Sequence, residues 1–248
     1  MQLRAEVYTR KQLSLALDNN NISYVYAPYD IVDKSILNHA ERIVLVPPVY
    51  LANCEENVYE KFKVLNDLGF KNALVHTIGN IEQFRGLEFT LFGGSRLNCT
   101  NSDTLAFLHE NNVSDIIVST EITAYQINAL DKPCKIGFIA YGYLPLMVTR
   151  RCPISNGKPC NKACCNKFIT DRMGNKLHVI CNENSVEILN SDTLYLADKL
   201  NHFGSADFAV LKFTRETEIN EIILDYVSYA QPQIENFTRG RYFKGVQN

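Results

Sequence analysis

The sequence predicts a single (β/α)8 TIM-like barrel with a cysteine-rich insertion between its seventh and eighth strands. Three observations carry this. Eight short runs rich in β-branched and aromatic residues recur along 248 residues. Segments with helical spacing lie between them. Last, 64 residues separate the seventh run from the eighth, far more than a crossover needs. Regular alternation of strand and helix builds parallel strands with right-handed crossovers. Eight such units in a chain of this length favour closure over an open doubly wound sheet.

The strands are read, in order, at AEVYT (5–9), YVYAP (24–28), RIVLVPP (42–48), ALVHT (73–77), EFTLFGG (88–94), DIIVST (115–120), KIGFIAYG (135–142) and DFAVLKFT (207–214). In EENVYEKFKVLNDLG, Val58, Phe62 and Leu65 share one helical face and Gly69 supplies the stop. In SDTLAFLHENN, Ser102 is the expected N-cap before Leu105 and Leu108. ETEINEIILDYVSYA repeats Ile219, Ile222, Ile223 and Tyr226. The domain reading is one barrel over 1–248, with 143–206 as a cysteine-bearing excursion within it.

Composition narrows the class. Charged residues make up 21% and hydrophobic ones 46%, ordinary for a globular protein, and the net charge of -2 gives nucleic acid or an anionic membrane no general attraction. Any RNA contact must be local. The N-terminus lacks a signal-peptide pattern, and IGFIAYGYLPLMV is too short and Pro-broken to span a bilayer. A cytoplasmic protein without membrane contact is expected, and there clustered cysteines serve metal or redox chemistry more often than disulfides.

Four of the eight cysteines fall in RRCPISNGKPCNKACCNKF (150–168): Cys152, Cys160, Cys164 and Cys165, with Cys181 following. The spacing C-x7-C-x3-C with a distant fourth lacks paired zinc knuckles and has only His178 near it. Zinc and an iron–sulfur cluster therefore stand level on spacing, with a non-metal role for the thiols as the third reading. Cys54, Cys99 and Cys134, isolated among core-like residues, read as small buried hydrophobes. Around the cluster, Lys158, Lys162, Lys167 and Arg172 read as a solvated loop. Arg150 and Arg151, next to Cys152, suit charge balance for a thiolate centre or an anionic substrate.

A barrel collects its chemistry beyond the C-terminal ends of its strands. The polar residues placed there are His76, Asn80, Asn98, Asn101, Ser119, Glu121, Tyr141, Arg150, Arg151, Lys212 and Arg215. Each has an ordinary reading beside the functional one: His76 as a bonded core histidine, Asn98 and Asn101 as turn or cap residues, Glu121 as the acidic first turn of a helix, and Tyr141 as packing.

YGYLPLMVTRRCPI, CNKAC, FITDRMGNKLHV, the VEILNS run and FTRGRYFKGV resemble the collagenase-like peptidase family of unassigned catalytic type, the peptidase "U" class. The front half, with LRAEVYTRKQLSLAL, LVPP, RLNCTNSDTLAFL and VSTEITAYQINAL, resembles it too. The resemblance implies a β/α barrel. It also implies a [4Fe-4S] cluster on Cys152, Cys160, Cys164 and Cys181, with Cys165 an extra thiol, because several members carry one. Such members act in oxygen-independent hydroxylation of RNA pyrimidines, with prephenate as hydroxyl source, or of quinone precursors. In that reading Arg150, Arg151 or Arg215 binds a substrate carboxylate or phosphate, and Glu121 or His76 handles protons. The family's name implies proteolysis as an alternative, although no H-E-x-x-H is present. A third reading is a non-catalytic subunit beside a homologous partner. LKFTRET, with Lys212, Thr214, Arg215 and Glu216, departs from the Glu-Gly-Arg that many relatives have there.

Overall fold

The computed structural model describes residues 1–49, 55–155, 168–181 and 185–245. Seven strands come first: β1 (Gln2–Glu6), β2 (Ile22–Pro28), β3 (Ile43–Val46), β4 (Asn72–Val75), β5 (Thr90–Gly93), β6 (Val113–Ile117) and β7 (Lys135–Gly142). Then follow β8 (Pro145–Thr149), β9 (Phe168–Thr170), β10 (Lys176–Cys181), β11 (Val186–Leu189), β12 (Thr193–Tyr195), β13 (Phe208–Lys212) and β14 (Phe237–Thr238). β1 through β7 pair in parallel in chain order, and β13 pairs in parallel with both β7 and β1. The eight parallel strands close on themselves, so the predicted TIM-like barrel is what forms.

Local chemistry explains the helices between strands. α1 (Arg10–Asp18) starts at a capping box, in which the Thr9 hydroxyl accepts from the Gln12 amide and Gln12 answers. α2 (Glu55–Asp67) buries Val58, Phe62 and Leu65 as the periodicity predicts, and Gly69 ends it at φ +113°. α3 (Ile78–Gln83) and α5 (Ala124–Asn128) repeat the capping box with Thr77 and Asn80, and with Thr123 and Gln126. α4 (Ser102–Glu110) corrects one expectation. Its cap is Asn101, whose side chain accepts from the Thr104 amide, while Ser102 is already helical. α6 (Ile219–Ser228) buries Ile219, Ile223 and Tyr226.

The first strand also differs from its predicted span of 5–9. Its polar residues alternate because one face lines the barrel interior, where Arg4 is held. Arg4 is fully buried, bonds Tyr26 Oη at 2.9 Å, pairs with Asp115 on β6 and lies 3.5 Å from the Phe208 ring centroid. Phe208 itself fits because β7 has glycine opposite: a Cβ on Gly137 would stand 2.2 Å from the ring.

Between β7 and β13 the chain makes a second sheet, ordered β8-β11-β10-β9 and antiparallel throughout. Both faces of its central strand β11 are buried. β12 returns antiparallel to the end of β7 and receives β14. The C-terminal FTRGRY run is a clamp. Arg239 grips Asp198 through both guanidinium nitrogens at 2.5 and 2.9 Å, and Tyr242 is buried with its hydroxyl on the Ile139 carbonyl. Arg239→Ala leaves the buried Asp198 carboxylate with Lys199 at 3.5 Å as its remaining cation and is expected to cost about 2 kcal/mol, since Arg239 is itself partly solvated. A melting point unchanged within 1–2 °C, where roughly 4–8 °C is expected, would count against the clamp. Among the described residues no helix is long and apolar enough to cross a membrane.

Candidate active site

Where barrel strands end, their last residues face one another. Glu6 closes β1 and Lys212 closes β13, paired across the register, with Lys212 Nζ 3.0 Å from Glu6 Oε1. Tyr8 donates its hydroxyl to the same carboxylate at 2.9 Å. Lys212 is 5% exposed. Burial opposes its charge, but Glu6, Tyr8 and Glu187 outweigh burial and raise its pKa. Burial likewise works against Glu6, and Lys212 prevails and holds it below the usual carboxylate range.

His76 follows β4 directly, and its backbone is fixed by Asn80, whose side-chain oxygen accepts from the amides of His76 and Thr77 at 3.0 and 3.1 Å. Asn80 is thus a cap that positions His76. The imidazole is 8% exposed and its Nδ1 is buried without a hydrogen-bond partner. Burial first, then the Arg96 charge, lowers its pKa to about 4. His76 is therefore neutral at pH 7. The unfolded chain takes up this proton near 6.5 and the folded chain only near 4, so His76 adds stability above pH 6.5 that is lost as pH falls from 6.5 towards 4. The expected loss is about 3 kcal/mol. Across that window wild type should lose about that much stability relative to His76→Gln; parallel denaturation curves would refute the assignment.

The inserted sheet sits on this end of the barrel. Glu187 of β11, 2% exposed, accepts from Arg96 Nη2 at 2.5 Å, and Arg96 belongs to the Ser95–Leu97 turn after β5. A second tie joins β10 to the loop after β13: Arg215 Nη1 donates to His178 Nδ1 at 2.5 Å, and Tyr143 stacks edge-on against His178 at 4.5 Å. Arginine is always protonated, so His178 must be neutral there; burial and then the Arg215 charge lower its pKa.

Of the residues singled out from sequence, His76 and Lys212 lie close enough at the mouth to act on one another, and Arg215 stands in the loop after β13 against His178. Tyr141 is buried among Tyr195, Phe213 and Tyr226, and burial followed by the Glu216 charge raises its phenol. It packs, and stays protonated. Asn98 adopts the left-handed region at φ 50° and binds the Ser119 hydroxyl at 2.7 Å, clasping two loops together. Glu121 is exposed, and its amide bonds Ser119 Oγ. It does not begin a helix, since α5 starts at Ala124 behind Thr123. Arg150 and Arg151 are exposed after β8, and Arg172 is exposed in the Asp171–Asn175 turn. Glu6, Tyr8, Arg96 and Glu187 were not singled out. The signal for Glu6 and Lys212 was positional, each being charged at a strand end.

An open cleft lined by Gln2, Asn20, Asn21, Ser23 and Tyr229 lies at the opposite, N-terminal end. It holds none of these groups.

The described cysteines divide in two. Cys99 is buried and Cys134 half-buried, both with thiols pushed up to about 11 by burial, which fits the small-hydrophobe reading. Cys152 and Cys181 belong to the inserted sheet. Cys181 ends β10 and pairs with Val186, which on its other side pairs with Thr149, and Cys152 lies three residues further on. Strand spacing puts Thr149 and Cys181 about 10 Å apart, at one end of one sheet. Among the described residues no three His, Cys, Asp or Glu side chains stand together as a metal site. Cys54, Cys160, Cys164 and Cys165 lie outside the described residues, as do Lys158, Lys162 and Lys167.

The profile of peptidase family U32 matches residues 12–241, nearly the whole chain. The chain belongs to peptidase family U32. A solved structure, that of the U32 peptidase Mk0906, superposes on this U32 chain with a TM-score of 0.50, covering 87% of it and 94% of Mk0906. At 11% identity the likeness is one of fold. No curated protein matches the sequence. Membership agrees with the resemblance read from the cysteine segment and the C-terminal run.

Proposed function

We propose that this U32 protein is an iron–sulfur enzyme taking part in oxygen-independent hydroxylation of an RNA pyrimidine or a small aromatic carboxylate. The observation that supports it most is that Cys181 and the strand end leading to Cys152 lie at the same end of a sheet seated over the barrel mouth. The donor set is thiol, and the flanking Arg150 and Arg151 suit an anionic centre or substrate. Cys152, Cys160, Cys164 and Cys181 would hold a [4Fe-4S] cluster, which when bound supplies one-electron chemistry.

The protein's own groups bind and orient. Arg215, held by His178, faces an anionic substrate group at the rim. His76 is neutral at physiological pH and offers or accepts a hydrogen bond, while Lys212 stays charged beside Glu6 and presents a fixed positive end. Proteolysis is the weaker reading on these residues. His76 Nδ1 meets no nucleophile, and His178 is engaged by Arg215.

Anaerobic purification with metal and sulfide analysis and an absorption spectrum tests the proposal. A brown protein with about four irons and four sulfides per chain is expected, with iron lost in Cys152→Ser and Cys181→Ser and kept in Cys165→Ser. A colourless protein that binds zinc and takes no iron on anaerobic reconstitution would sink it.

A further inference from the structure

One of the ties between the cysteine-bearing sheet and the barrel cluster is a carboxylate. Glu187 follows Val186, the residue flanked by Thr149 and Cys181, so strand alternation turns its side chain to the opposite face of β11. There it is buried against Arg96, a residue of the barrel rim. The same sheet already buries Val179, Val186, Ile188 and Leu189, and apolar contact alone would seat it. A carboxylate taken out of water costs several kcal/mol, so a leucine or methionine would hold the sheet at less expense. What the charge adds is geometry: a guanidinium and a carboxylate meet in few orientations, whereas apolar faces slide.

We propose that Glu187 is a positioning residue, whose pair with Arg96 fixes the cysteine-bearing sheet in one register over the barrel mouth and thereby fixes the surroundings of His76. Arg96 and Glu187 act on His76 with opposite sign, the guanidinium lowering and the carboxylate raising its pKa. Glu187 acts on Lys212 and Tyr8 as well. The inference rests on the sheet covering the mouth, which the function proposed above also uses, and not on the identity of any metal.

Two charge-neutralising variants test it on the purified full-length protein. Glu187→Gln and Arg96→Gln should each raise amide exchange in β10 and β11 about tenfold or more while leaving β1 to β4 unchanged. In the same samples the His76 ring, followed by NMR, should titrate below about 4 in Glu187→Gln and above it in Arg96→Gln. Opposite movement of one titration is a signature that loss of packing does not produce. The charge swap Glu187→Arg with Arg96→Glu should return exchange towards wild type. Unchanged exchange in both single variants, His76 moving the same way in both, or a swap no better than the singles would overturn the proposal. Should Glu187→Gln fail to fold, Arg96→Gln, at the partner that is 21% exposed, carries the test with the swap. Neither readout depends on iron. A zinc protein would therefore end the hydroxylase reading and leave this one standing.

Discussion

Gly142→Ala should abolish accumulation of soluble, folded protein. Gly142 is the last residue of β7, at the end where that strand carries both β13 and β12 as partners, and its φ is +115°. A Cβ there would stand 2.2 Å from the Lys212 carbonyl oxygen and 3.0 Å from Lys212 Cβ. The first is a clash with backbone on the strand that closes the barrel, so no rotamer change relieves it. Strain at positive φ adds roughly 1–2 kcal/mol, and opening the β7–β13 seam brings the total past about 4 kcal/mol. Gly174→Ala separates the two contributions, because Gly174 has φ +87° but nothing within 4 Å of its Cβ position. That variant should fold and lose only the strain, about 1–2 kcal/mol. A Gly142→Ala protein expressed at wild-type level with an unchanged melting point would show that the seam yields.

The contrast between these glycines shows where sequence reading stops. The barrel was legible because its strands are runs such as IVLV and FAVLK, buried on both faces, separated by segments with caps and a 3.6 period. The seventh strand was read at its observed bounds, Lys135–Gly142. The first was read three residues late, because Arg4 and Glu6 look like surface and in fact face inward. Nothing local distinguishes an inward arginine from an outward one. What stabilises Arg4 lies 22 and 111 residues away, on Tyr26 and Asp115.

The candidate site divides on the same ground. His76, Lys212 and Arg215 could be placed from strand ends alone, since a barrel sets its chemistry there. Glu187 could not. It lies inside a buried strand of the insertion, and only the docking of that sheet brings it to Arg96. Glu121 was attractive for its place after β6, yet its side chain is exposed, and Ser119 and Asn98 make the loop's ordered contacts. The cysteines were legible as a group, and the structure adds that Cys181 and the strand end leading to Cys152 lie at the same end of a sheet.

Lys212→Met is the sharpest probe of the mouth, and its effect should depend on pH with a sign opposite to that of the wild-type pair. In the wild type Lys212 holds Glu6 below its ordinary value of 4.5, so the pair's contribution is present above pH 4.5 and lost as pH falls. Without Lys212 the Glu6 carboxylate keeps its burial and loses its counter-charge, so its pKa rises instead. At pH 7 the variant then carries a buried, uncompensated charge and should be about 3–5 kcal/mol less stable than wild type. As pH falls, Glu6 becomes protonated in the folded variant and the deficit shrinks. Lys212 and Glu6 also act on His76, with opposite sign, so the comparison is made in a His76→Gln background, which removes that titration. Adding Glu6→Gln to Lys212→Met removes the stranded charge, and the double variant should recover most of the loss at pH 7 and show no such pH dependence. Denaturant titrations of the parent, Lys212→Met, Glu6→Gln and the double variant from pH 4 to 8 measure this directly. A Lys212→Met deficit constant across that range, or a double variant no more stable than the single, would mean that Glu6 and Lys212 do not form the buried pair on which the mouth is built.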